Sequence, residues 1–536
     1  MRGPHDTQGK GGYHRGVRLG AIDVGSNSLH MLIADVSPDG RVQIVDRVKE
    51  MVRLGRNTFT SGRLTPEAMQ LAVRTVKTFA RVARARRVER LCAVGTSAVR
   101  EARNGTAFVR RLRRETGIAV RVISGPEEAR LIFRAARHAF GLEGGPHLLL
   151  DVGGGSVELV LVRDGRALWM RSLPLGAARL TERFLADDPP RPGQVRQLEK
   201  YLRRELGELL SRVRHAGAVR AIGTSGTVNT LVAMARAARG EDGTRLHGAS
   251  ARAAEVARLR KRILGAGPAR RTDLPGMDAK RVDLMPAAAV LVDVVLAQSR
   301  IGELVACTWA LREGLLLDLA RLRTSPGSAA GVRRRSVDAL AERFAGANAH
   351  GRQVARLALA LFDATATELA LPVAAREILE YAALLHDIGH AIDHGRHHHH
   401  SYYLIRNGEL LGFEPAEIEM LALVARGHRK QVPKAGDPDL QALSASQRRT
   451  VRVLAALLRV ADGLDRTQFG VVEMVHMLRK SGRLVITVEP GGDKAELELW
   501  AAQRRVDLLA RLLHRPVLLR RGPPAASQAA GAAARA

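Results

Sequence analysis

The sequence predicts an α/β protein built from two duplicated lobes, because two short motifs each occur twice at one spacing. Residues 23–28 (Asp-Val-Gly-Ser-Asn-Ser) and residues 151–156 (Asp-Val-Gly-Gly-Gly-Ser) each lie between two apolar runs. A Gly-Thr-Ser turn follows an apolar run at residues 95–97 and again at 223–225. Both pairs are 128 residues apart, counted from Asp23 to Asp151 and from Gly95 to Gly223. Two independent motifs displaced by one distance indicate an internal duplication.

The repeated loops have the composition of phosphate-binding turns. Glycine lets backbone N–H groups surround an anion without interference from a Cβ atom, and flanking carboxylates can hold a divalent ion directly or through its waters. A plain glycine turn in a hairpin is the alternative, which the second copy disfavours. The residues predicted to bind phosphate are Gly25, Ser26, Asn27, Ser28, Gly153, Gly154, Gly155, Ser156, Gly223, Thr224 and Ser225.

Charged residues stand at the start of two predicted helices in the first lobe. Arg100 follows the first Gly-Thr-Ser turn, where N–H groups, helix dipole and guanidinium can meet a phosphate oxygen together. It is also one arginine among very many. Glu127 and Glu128 open a helix over 125–139. First-turn acids commonly complement the helix dipole, but that does not by itself explain two of them just before the second loop.

Composition favours a polyanionic partner and a reducing compartment. The 536 residues should form several domains, and they carry a net charge of +31 from 85 basic and 54 acidic residues. Polyphosphate, nucleic acid or anionic lipid would suit this charge, although arginines that solvate helix faces explain part of it. We find no dedicated nucleic-acid motif. Two cysteines, no signal-like N-terminal segment and no membrane-length apolar run predict a cytoplasmic protein without a membrane partner.

The motifs resemble those of a known family. The paired loops are similar to the phosphate motifs of the superfamily that joins actin, the sugar kinases and the heat-shock ATPases. More narrowly, residues 23–30, 95–100, 123–130, 151–158 and 223–227 resemble the exopolyphosphatase/guanosine pentaphosphate phosphatase family, over about residues 19–318. The resemblance implies duplicated actin-like (ribonuclease H-like) lobes. In the long form of the family, an all-α HD-like domain and a small α+β C-terminal module follow.

This resemblance implies metal-dependent hydrolysis of the terminal phosphoanhydride of inorganic polyphosphate, with release of orthophosphate. Glu128 would be the catalytic base, with Glu127 as a capping or orienting residue, and Arg100 would neutralise a phosphate oxygen. Asp151, Glu158 and Asp23 would hold Mg²⁺ or Mn²⁺, and a homodimer is expected.

Three alternatives remain open at this point. One is a guanosine pentaphosphate (pppGpp) 5′-phosphohydrolase, and another is a regulator that binds polyphosphate or alarmone with an inactive cleft. The third, an actin-like ATPase or sugar kinase, is disfavoured by the paired glutamates and the histidine-rich C-terminal half. The family's Arg-x-Asp motif is matched at 281–283, but Met285-Pro286 replaces the glycine expected after it, while residues 311–314 (Leu-Arg-Glu-Gly) match the motif that closes the second lobe.

The C-terminal half contains residues that resemble an HD-type metal-dependent phosphohydrolase. His350, His386, Asp387 and Asp462 would bind a first divalent ion. Imidazole and carboxylate together suit Mn, Fe, Zn or Mg. A second ion would use His399, His400 and His428. Isolated histidines are usually structural, but a set that includes a His-Asp dipeptide favours a metal.

These patterns divide the chain into seven segments. We expect a small hairpin with strands at 484–488 and 495–499 in the C-terminal module. The predicted segments are a disordered tail at 1–18, lobe I at 19–143, lobe II at 144–320, a linker at 321–335, the HD-like domain at 336–475, the α+β module at 476–520 and a disordered tail at 521–536.

Overall fold

A computed structural model describes residues 16–241, 245–321, 328–346, 348–429, 436–480, 482–491 and 495–522. Most of both predicted tails, and residues 322–327 of the predicted linker, lie outside the described residues. The chain divides into two compact units, residues 1–332 (unit 1) and 333–536 (unit 2). A helix that begins at Ala329 occupies the last part of the predicted linker.

The first lobe of unit 1 is a five-stranded sheet with helices. Its strand order is β3-β2-β1-β4-β5, in which β1, β2 and β3 are antiparallel neighbours and β4 and β5 run parallel to β1. The strands are β1 Val17–Val24, β2 Ser28–Val36, β3 Val42–Met51, β4 Arg90–Gly95 and β5 Val120–Val122. The helices are α1 Thr58–Ser61, α2 Pro66–Ala85, α3 Ser97–Glu101, α4 Gly105–Thr116 and α5 Gly125–Phe140.

The second lobe repeats this arrangement with one added edge strand. Its order is β8-β7-β6-β9-β11-β10, again an antiparallel meander of three strands followed by two strands parallel to the first. The strands are β6 His147–Val152, β7 Val157–Arg163, β8 Arg166–Leu173, β9 Arg220–Thr224, β10 Ser250–Arg252 and β11 Glu303–Ala306. The helices are α6 Ala177–Phe184, α7 Pro192–His215, α8 Ser225–Ala238, α9 Ala253–Gly265, α10 Pro268–Thr272, α11 Met285–Ser299 and α12 Leu311–Leu319. The predicted α/β class and the duplication are confirmed.

Two helices cross between the lobes and fix the cleft. Helix α5, which follows the first sheet, packs on β7 and β8 of the second. Helix α12, at the end of the second lobe, packs on α5 and on β1 and β2 of the first. The N-terminus of α5 is capped by the Ser124 hydroxyl, which accepts a hydrogen bond from the backbone N–H of Glu127 at 3.3 Å. The start of α5 therefore has a fixed position between the two sheets.

Met285 and Pro286, which replace the glycine expected after the Arg-x-Asp motif, lie in the first turn of α11. Pro286 occupies a position whose N–H has no partner inside the helix, so the ring fits there without loss of a hydrogen bond. Nearly every side chain of α11 is buried, and the helix packs against α7 and α9. A helix that is apolar all round is a core helix, which explains its Ala/Val composition. The departure therefore sits in the core of the second lobe.

Unit 2 is a helical domain with a three-stranded sheet. The helices pack around one apolar core, with α14 on α15, α16 on α17 and α19 against both pairs. They are α13 Ala329–Ala345, α14 Ala349–Thr365, α15 Ala374–Leu385, α16 His397–Asn407, α17 Pro415–Arg426, α18 Pro438–Gln441, α19 Ala445–Gly463, α20 Glu496–Gln503 and α21 Asp507–Leu513. The strands are β12 Val472–Lys480, β13 Arg483–Pro490 and β14 Val517–Arg521, in the order β12-β13-β14.

The expected hairpin in the C-terminal module was wrong in its second strand. β13 pairs antiparallel with the preceding β12, not with residues 495–499, which form the start of α20. The segment after Ala495 buries Glu498, Ala501 and Ala502 at helical spacing, and this pattern is that of a helix packed on α19. Among the described helices of the chain, none is long and apolar enough to cross a bilayer.

Candidate active site

The loops of unit 1 meet in a cavity of about 140 Å³ between the lobes. Strands β1, β4, β6 and β9 all end at it, because parallel strands bring their carboxyl ends to one edge of a sheet. A Cβ atom on Gly154 would lie 3.1 Å from the Ser26 Cβ, and one on Gly155 would lie 2.4 Å from the Ser97 hydroxyl. The two predicted phosphate loops are therefore in contact, and their approach requires glycine.

Most of the predicted phosphate-binding residues line this cavity, but two do not. Gly223 is packed inside β9, where an added Cβ would lie 2.2 Å from Val228. Thr224 is buried, and its hydroxyl donates a hydrogen bond to the Asp151 carboxylate, directly opposite it across the β6–β9 pair. The predicted residues that do line the cavity are Gly25, Ser26, Asn27, Ser28, Gly153, Gly154, Gly155, Ser156 and Ser225, together with Asp23, Glu128 and Asp151.

Glu128 lies in the first turn of α5 and faces the cavity. Its side chain is buried, and its Oε2 accepts a hydrogen bond from Arg100 Nη1 at 3.0 Å. Burial raises the pKa of Glu128 to about 7, although the Arg100 guanidinium opposes this. A carboxyl group with a pKa near neutrality can accept a proton at physiological pH, as a general base must.

Arg100 is placed behind Glu128 and not on the cavity lining. Its Nη1 also donates to the backbone carbonyl of Ile123 at 2.9 Å, so the guanidinium is held from two sides. Glu127 points away and pairs with Arg121 at 2.6 Å. Arg100 therefore holds the Glu128 carboxylate in place, and its predicted role toward a phosphate oxygen stays a prediction.

The three carboxylates predicted to hold a metal are close but do not form one ligand group. Asp151 and Glu158 face each other across the β6–β7 pair. Glu158 is 1% exposed, accepts a hydrogen bond from the Ser172 hydroxyl at 2.7 Å and does not line the cavity. Burial raises the pKa of Asp23 to about 7 and of Asp151 to about 6, and it raises the pKa of Glu158 well above its usual range. These carboxylates need a cation to remain ionised together.

Several polar atoms of the cavity have no hydrogen-bond partner among the described residues. They are Oδ1 of Asp23, Nδ2 of Asn27 and the hydroxyl of Ser225, and all three are buried. Ser225 also has a positive φ of 78°, which is unusual for a residue other than glycine. Unpaired buried polar groups are costly, so this pattern fits a site completed by a cation at Asp23 and an anion at Asn27 and Ser225.

Sequence reasoning missed three cationic or titratable residues of the cavity. His30, Arg281 and Arg312 all line it, and Arg312 Nη1 is 2.8 Å from His30 Nδ1. His30 stands opposite Asp23 across the β1–β2 pair, as Glu158 stands opposite Asp151. The 128-residue offset from Glu158 leads to His30, so the duplication itself was a signal for it. Arg281 lies in the Arg-x-Asp motif and Arg312 in the Leu-Arg-Glu-Gly motif, but a motif match alone does not indicate what either side chain contacts.

Unit 2 contains a second cluster, made of histidines and aspartates. Among the described residues, three groups have ligand atoms within 4.8 Å of one another, and all three are in unit 2. These groups are His350 with His386 and Asp462, His386 with Asp387 and His428, and Asp387 with His390 and His397. The predicted set His350, His386, Asp387 and Asp462 is thus brought together, and the cleft carboxylates Asp23, Asp151 and Glu158 form no such group.

Asp387 is the centre of this cluster. Its Oδ1 lies 3.6 Å from His386 Nε2, 3.3 Å from His397 Nε2 and 3.5 Å from His428 Nε2. Its Oδ2 lies 3.6 Å from His350 Nε2 and 3.5 Å from His390 Nε2. A carboxylate in this position faces ligand atoms on two sides and could bridge two ions.

Hydrogen bonds behind the histidines fix which nitrogen faces the cluster. Nδ1 of His386 lies 2.7 Å from the Ala383 carbonyl and Nδ1 of His428 lies 2.6 Å from the Ala425 carbonyl. A carbonyl can only accept, so each Nδ1 carries hydrogen and each Nε2 points inward. Asp465 similarly accepts from Nδ1 of His350 at 2.7 Å. The Nε2 atoms of His350 and His386 are buried and have no partner among the described residues.

The second ion stays a prediction, and the geometry of the histidines differs from the predicted set at two of its three members. His399 and His400 belong to none of the three groups, whereas His397 and His390 do. Residues two positions apart on a helix point to nearly opposite faces, so His397 faces the cluster while His399 is exposed. The candidate second-ion ligands are therefore His390, His397 and His428, with Asp387 between the two sides.

Comparison with known proteins places the chain in a family. The model of the Ppx/GppA phosphatase family matches residues 32–322, and the model of domain III of Ppx/GppA phosphatases matches residues 332–495. The chain belongs to the Ppx/GppA phosphatase family, and the resemblance inferred from its motifs is confirmed.

Particular relatives agree with this assignment. Exopolyphosphatase 1 of Mycobacterium leprae is 37% identical over 305 residues, which are 56% of this chain and 89% of that protein. Exopolyphosphatase 1 of Mycobacterium tuberculosis is 35% identical over 302 residues, 56% of this chain and 88% of that protein. Both alignments leave a large part of the present chain uncovered.

Solved structures of the family match the fold. An exopolyphosphatase from Cytophaga hutchinsonii has a TM-score of 0.54 and 33% identity, covering 57% of this chain and 98% of its own. The Ppx/GppA family member of Aquifex aeolicus has a TM-score of 0.50 and 27% identity, covering 58% of this chain and 99% of its own.

Proposed function

We propose that unit 1 is an exopolyphosphatase, which hydrolyses the terminal phosphoanhydride of inorganic polyphosphate and releases orthophosphate. The observation that carries the proposal is the position of Glu128, buried at the start of α5 beside two touching glycine loops and held by Arg100. The relatives named exopolyphosphatase support the same activity. A terminal phosphate would occupy the loops, and the Glu128 carboxylate would accept a proton from the attacking water.

The residues of the cavity account for the demands of phosphoryl transfer. This reaction requires positioning and neutralisation of charge more than covalent chemistry. Backbone N–H groups of the loops, with Asn27 and Ser225, would bind phosphate oxygens. Arg281 and Arg312 would neutralise the charge that remains on the chain. Arg100 would keep the Glu128 carboxylate aimed at the water, as a positioning residue.

The carboxylates of the cleft fit a hydrated divalent ion. Mg²⁺ keeps several waters and usually takes one or two carboxylates together with substrate phosphates, so a closed three-carboxylate group is not required. Asp23 and Asp151 would hold Mg²⁺ or Mn²⁺. Glu158, which lies opposite Asp151 on β7, would add its carboxylate to this group. When bound, the ion would offset phosphate charge and keep these buried carboxylates ionised.

Phosphate release from two substrates tests this proposal. The purified full chain would be assayed with Mg²⁺ on long polyphosphate and on pppGpp in parallel, and the two kcat/KM values compared. A higher value for polyphosphate supports the proposal, and a higher value for pppGpp supports the 5′-phosphohydrolase alternative. If polyphosphate is bound but neither substrate is hydrolysed, the regulator alternative holds. The homodimer is also kept as a prediction, which sedimentation of the same sample can test.

We infer a second function for unit 2, a metal-dependent HD-like phosphohydrolase centre. The unpaired Nε2 atoms of His350 and His386 and the central Asp387 are the observations that favour it. His350, His386, Asp387 and Asp462 would hold one ion, and His390, His397 and His428 would hold another beside Asp387. Such ions polarise phosphate oxygens and lower the pKa of bound water.

The fold also holds Asp462 in position for this centre. Asp462 receives a hydrogen bond from Arg505 on one oxygen and faces His350 and His386 with the other. Elemental analysis of protein stripped with a chelator and reloaded with Mn²⁺ tests the centre. Uptake by residues 333–536 that survives loss of the cleft carboxylates supports it, and absence of uptake contradicts it.

A further inference from the structure

A second cavity, of about 380 Å³, adjoins the histidine–aspartate cluster of unit 2. Besides the cluster residues it is lined by Arg429, Arg466, Arg504 and Trp500. The three arginines are exposed at its rim, and neither Arg466 nor Arg504 has a carboxylate at ion-pair distance in the part of the chain that the structure describes. Cations without acidic partners beside candidate metal ligands favour an anionic ligand with several oxygens.

Trp500 adds a feature that a site for inorganic phosphate would not need. Its side chain is 59% exposed although it lines the cavity, and the Arg504 guanidinium carbon lies 5.0 Å from the ring centroid. Exposed indole rings beside cationic side chains are the usual platform on which planar bases stack. Arg504 would then lie where it can contact both the ring and a phosphate.

We propose that this cavity binds nucleoside phosphates, with the base on Trp500 and the phosphate between the arginines and the histidine–aspartate cluster. The proposal rests on the proposed metal centre and names its class of ligand. Different residues of the cavity would bind the phosphate and the base. Ions held by the inward Nε2 atoms and the rim residues Arg429, Arg466 and Arg504 would bind the phosphate oxygens, while a planar ring would cover the exposed face of Trp500.

Binding of three probes to the full chain loaded with Mn²⁺ tests the proposal. The probes are guanosine 5′-monophosphate, ribose 5-phosphate, which lacks the base, and guanosine, which lacks the phosphate. Dissociation constants are measured by titration calorimetry. We expect the nucleotide to bind about tenfold or more tightly than ribose 5-phosphate, because stacking of one base is worth about 1–3 kcal/mol. Guanosine should bind more weakly than the nucleotide.

Variants localise that preference to this cavity. Trp500→Ala should abolish the preference, so that nucleotide and ribose 5-phosphate bind with similar affinity, while Trp500→Phe should retain most of the preference. Leu497→Ala is a matched control, since Leu497 lies on the same helix and is also 59% exposed. Arg504→Ala should weaken binding of both phosphates, whereas Arg452→Ala, an exposed arginine on α19 outside the cavity, should not.

The outcomes separate this proposal from the metal centre. Equal affinity for nucleotide and ribose 5-phosphate, or a preference that persists in Trp500→Ala, would overturn the nucleoside proposal. The metal content of each sample is measured in parallel. Protein that takes up Mn²⁺ at unit 2 but shows no base preference keeps the metal centre and loses the nucleoside ligand. Protein without Mn²⁺ loses the metal centre, and its base preference still decides the nucleoside proposal.

Discussion

The two candidate sites of this chain use acidic residues in opposite ways. In the cleft of unit 1, burial raises the pKa of Asp23 and Glu128 to about 7, and no histidine–carboxylate ligand group forms there among the described residues. In unit 2, burial alone would raise the pKa of Asp387 and Asp462, but neighbouring histidines outweigh it and lower both. Acidic side chains therefore have pKa values near neutral pH in unit 1, whereas in unit 2 they are strongly ionised.

This difference indicates how each site would use a metal. The cleft carboxylates of unit 1 have raised pKa values and, among the described residues, form no ligand group with histidines, which suits a hydrated ion that binds together with phosphate. Carboxylates surrounded by inward nitrogens at 3.3–3.7 Å suit ions held directly by the protein. Unit 1 should therefore depend on metal in the assay buffer, while unit 2 should retain its metal through purification.

The largest effect should come from replacing the carboxylate that we propose as the proton acceptor of unit 1. Glu128→Gln should lower kcat for phosphate release from polyphosphate by about 10³-fold, since a general base contributes roughly 10²–10⁴-fold. KM should change little, because the amide keeps the shape of the side chain. Steady-state kinetics with Mg²⁺ measure both parameters.

Glu127→Gln is the control for that substitution. Glu127 is the neighbour of Glu128 on the same helical turn, but it pairs with Arg121 at 2.6 Å and does not line the cavity. Its activity should stay within about twofold of the parent, because exposed ion pairs contribute little. Similar losses in both variants would mean that the helix start, and not the Glu128 carboxylate, supports the reaction.

The complementary substitution tests whether unit 1 works without the proposed metal centre of unit 2. Asp387→Ala should reduce Mn²⁺ affinity at unit 2 by 100-fold or more, because it removes the carboxylate that faces five histidines, and even supporting residues cost about 10–100-fold. Polyphosphate hydrolysis should be unchanged. Calorimetric titration with Mn²⁺ and the phosphate-release assay are the two readouts, and a coupled loss would contradict independent sites.

The sequence predicted the two duplicated lobes well because each lobe repeats one local pattern. Apolar runs on both sides of an Asp-Val-Gly turn predicted the paired loops, and the 128-residue offset predicted the duplication. The lining of the cleft was predicted less completely. Arg312 reaches the cavity because α12, far along the chain, packs on the first lobe, and Arg281 reaches it from the segment between α10 and α11. A local sequence pattern does not predict which distant segments pack beside the first lobe.

The metal cluster shows the same limit at the level of one helix. The sequence-based prediction named His399 and His400, but the start of α16 determines which of four consecutive histidines faces inward. A helix boundary is poorly fixed by sequence, and one residue of error rotates the assignment by about 100°. The expected hairpin failed for a related reason, since residues 495–499 fit either a strand or a helix when taken alone.

A smaller effect should come from the packing that brings the loops of unit 1 together. Gly176→Ala should destabilise unit 1 by about 3 kcal/mol or more, because the new Cβ would lie 2.4 Å from the Gly154 carbonyl oxygen, and overpacking against backbone finds no easy relief. Gly207→Ala is the control, since Gly207 lies within α7 with nothing within 4 Å.

The control Gly207→Ala should stabilise the protein by roughly 0.5–1 kcal/mol, because alanine is preferred over glycine in the interior of a helix. Chemical denaturation with a probe in unit 1 measures both variants. If Gly176→Ala were as stable as the parent, the close approach of α6 to the second phosphate loop would be wrong.

The smallest expected effect contrasts the buried histidines of the two units. His247 stacks on Phe140 at 4.6 Å, and burial lowers its pKa to about 4, whereas in unit 2 burial of His350 is outweighed by Asp462 and Asp465, which raise its pKa to about 9.

The low pKa of His247 predicts a pH dependence of stability. His247 is neutral in the folded protein, so as the pH falls the unfolded chain takes up a proton on this side chain before the folded protein does. The stability that His247 contributes is complete above about pH 6.5 and declines as the pH falls toward 4. By pH 5 the loss should reach about 2 kcal/mol, and His247→Gln should remove that part of the pH dependence. Unfolding curves for unit 1 at several pH values, with the exposed His215→Gln as control, measure it, and identical pH dependence in parent and His247→Gln would contradict the assignment.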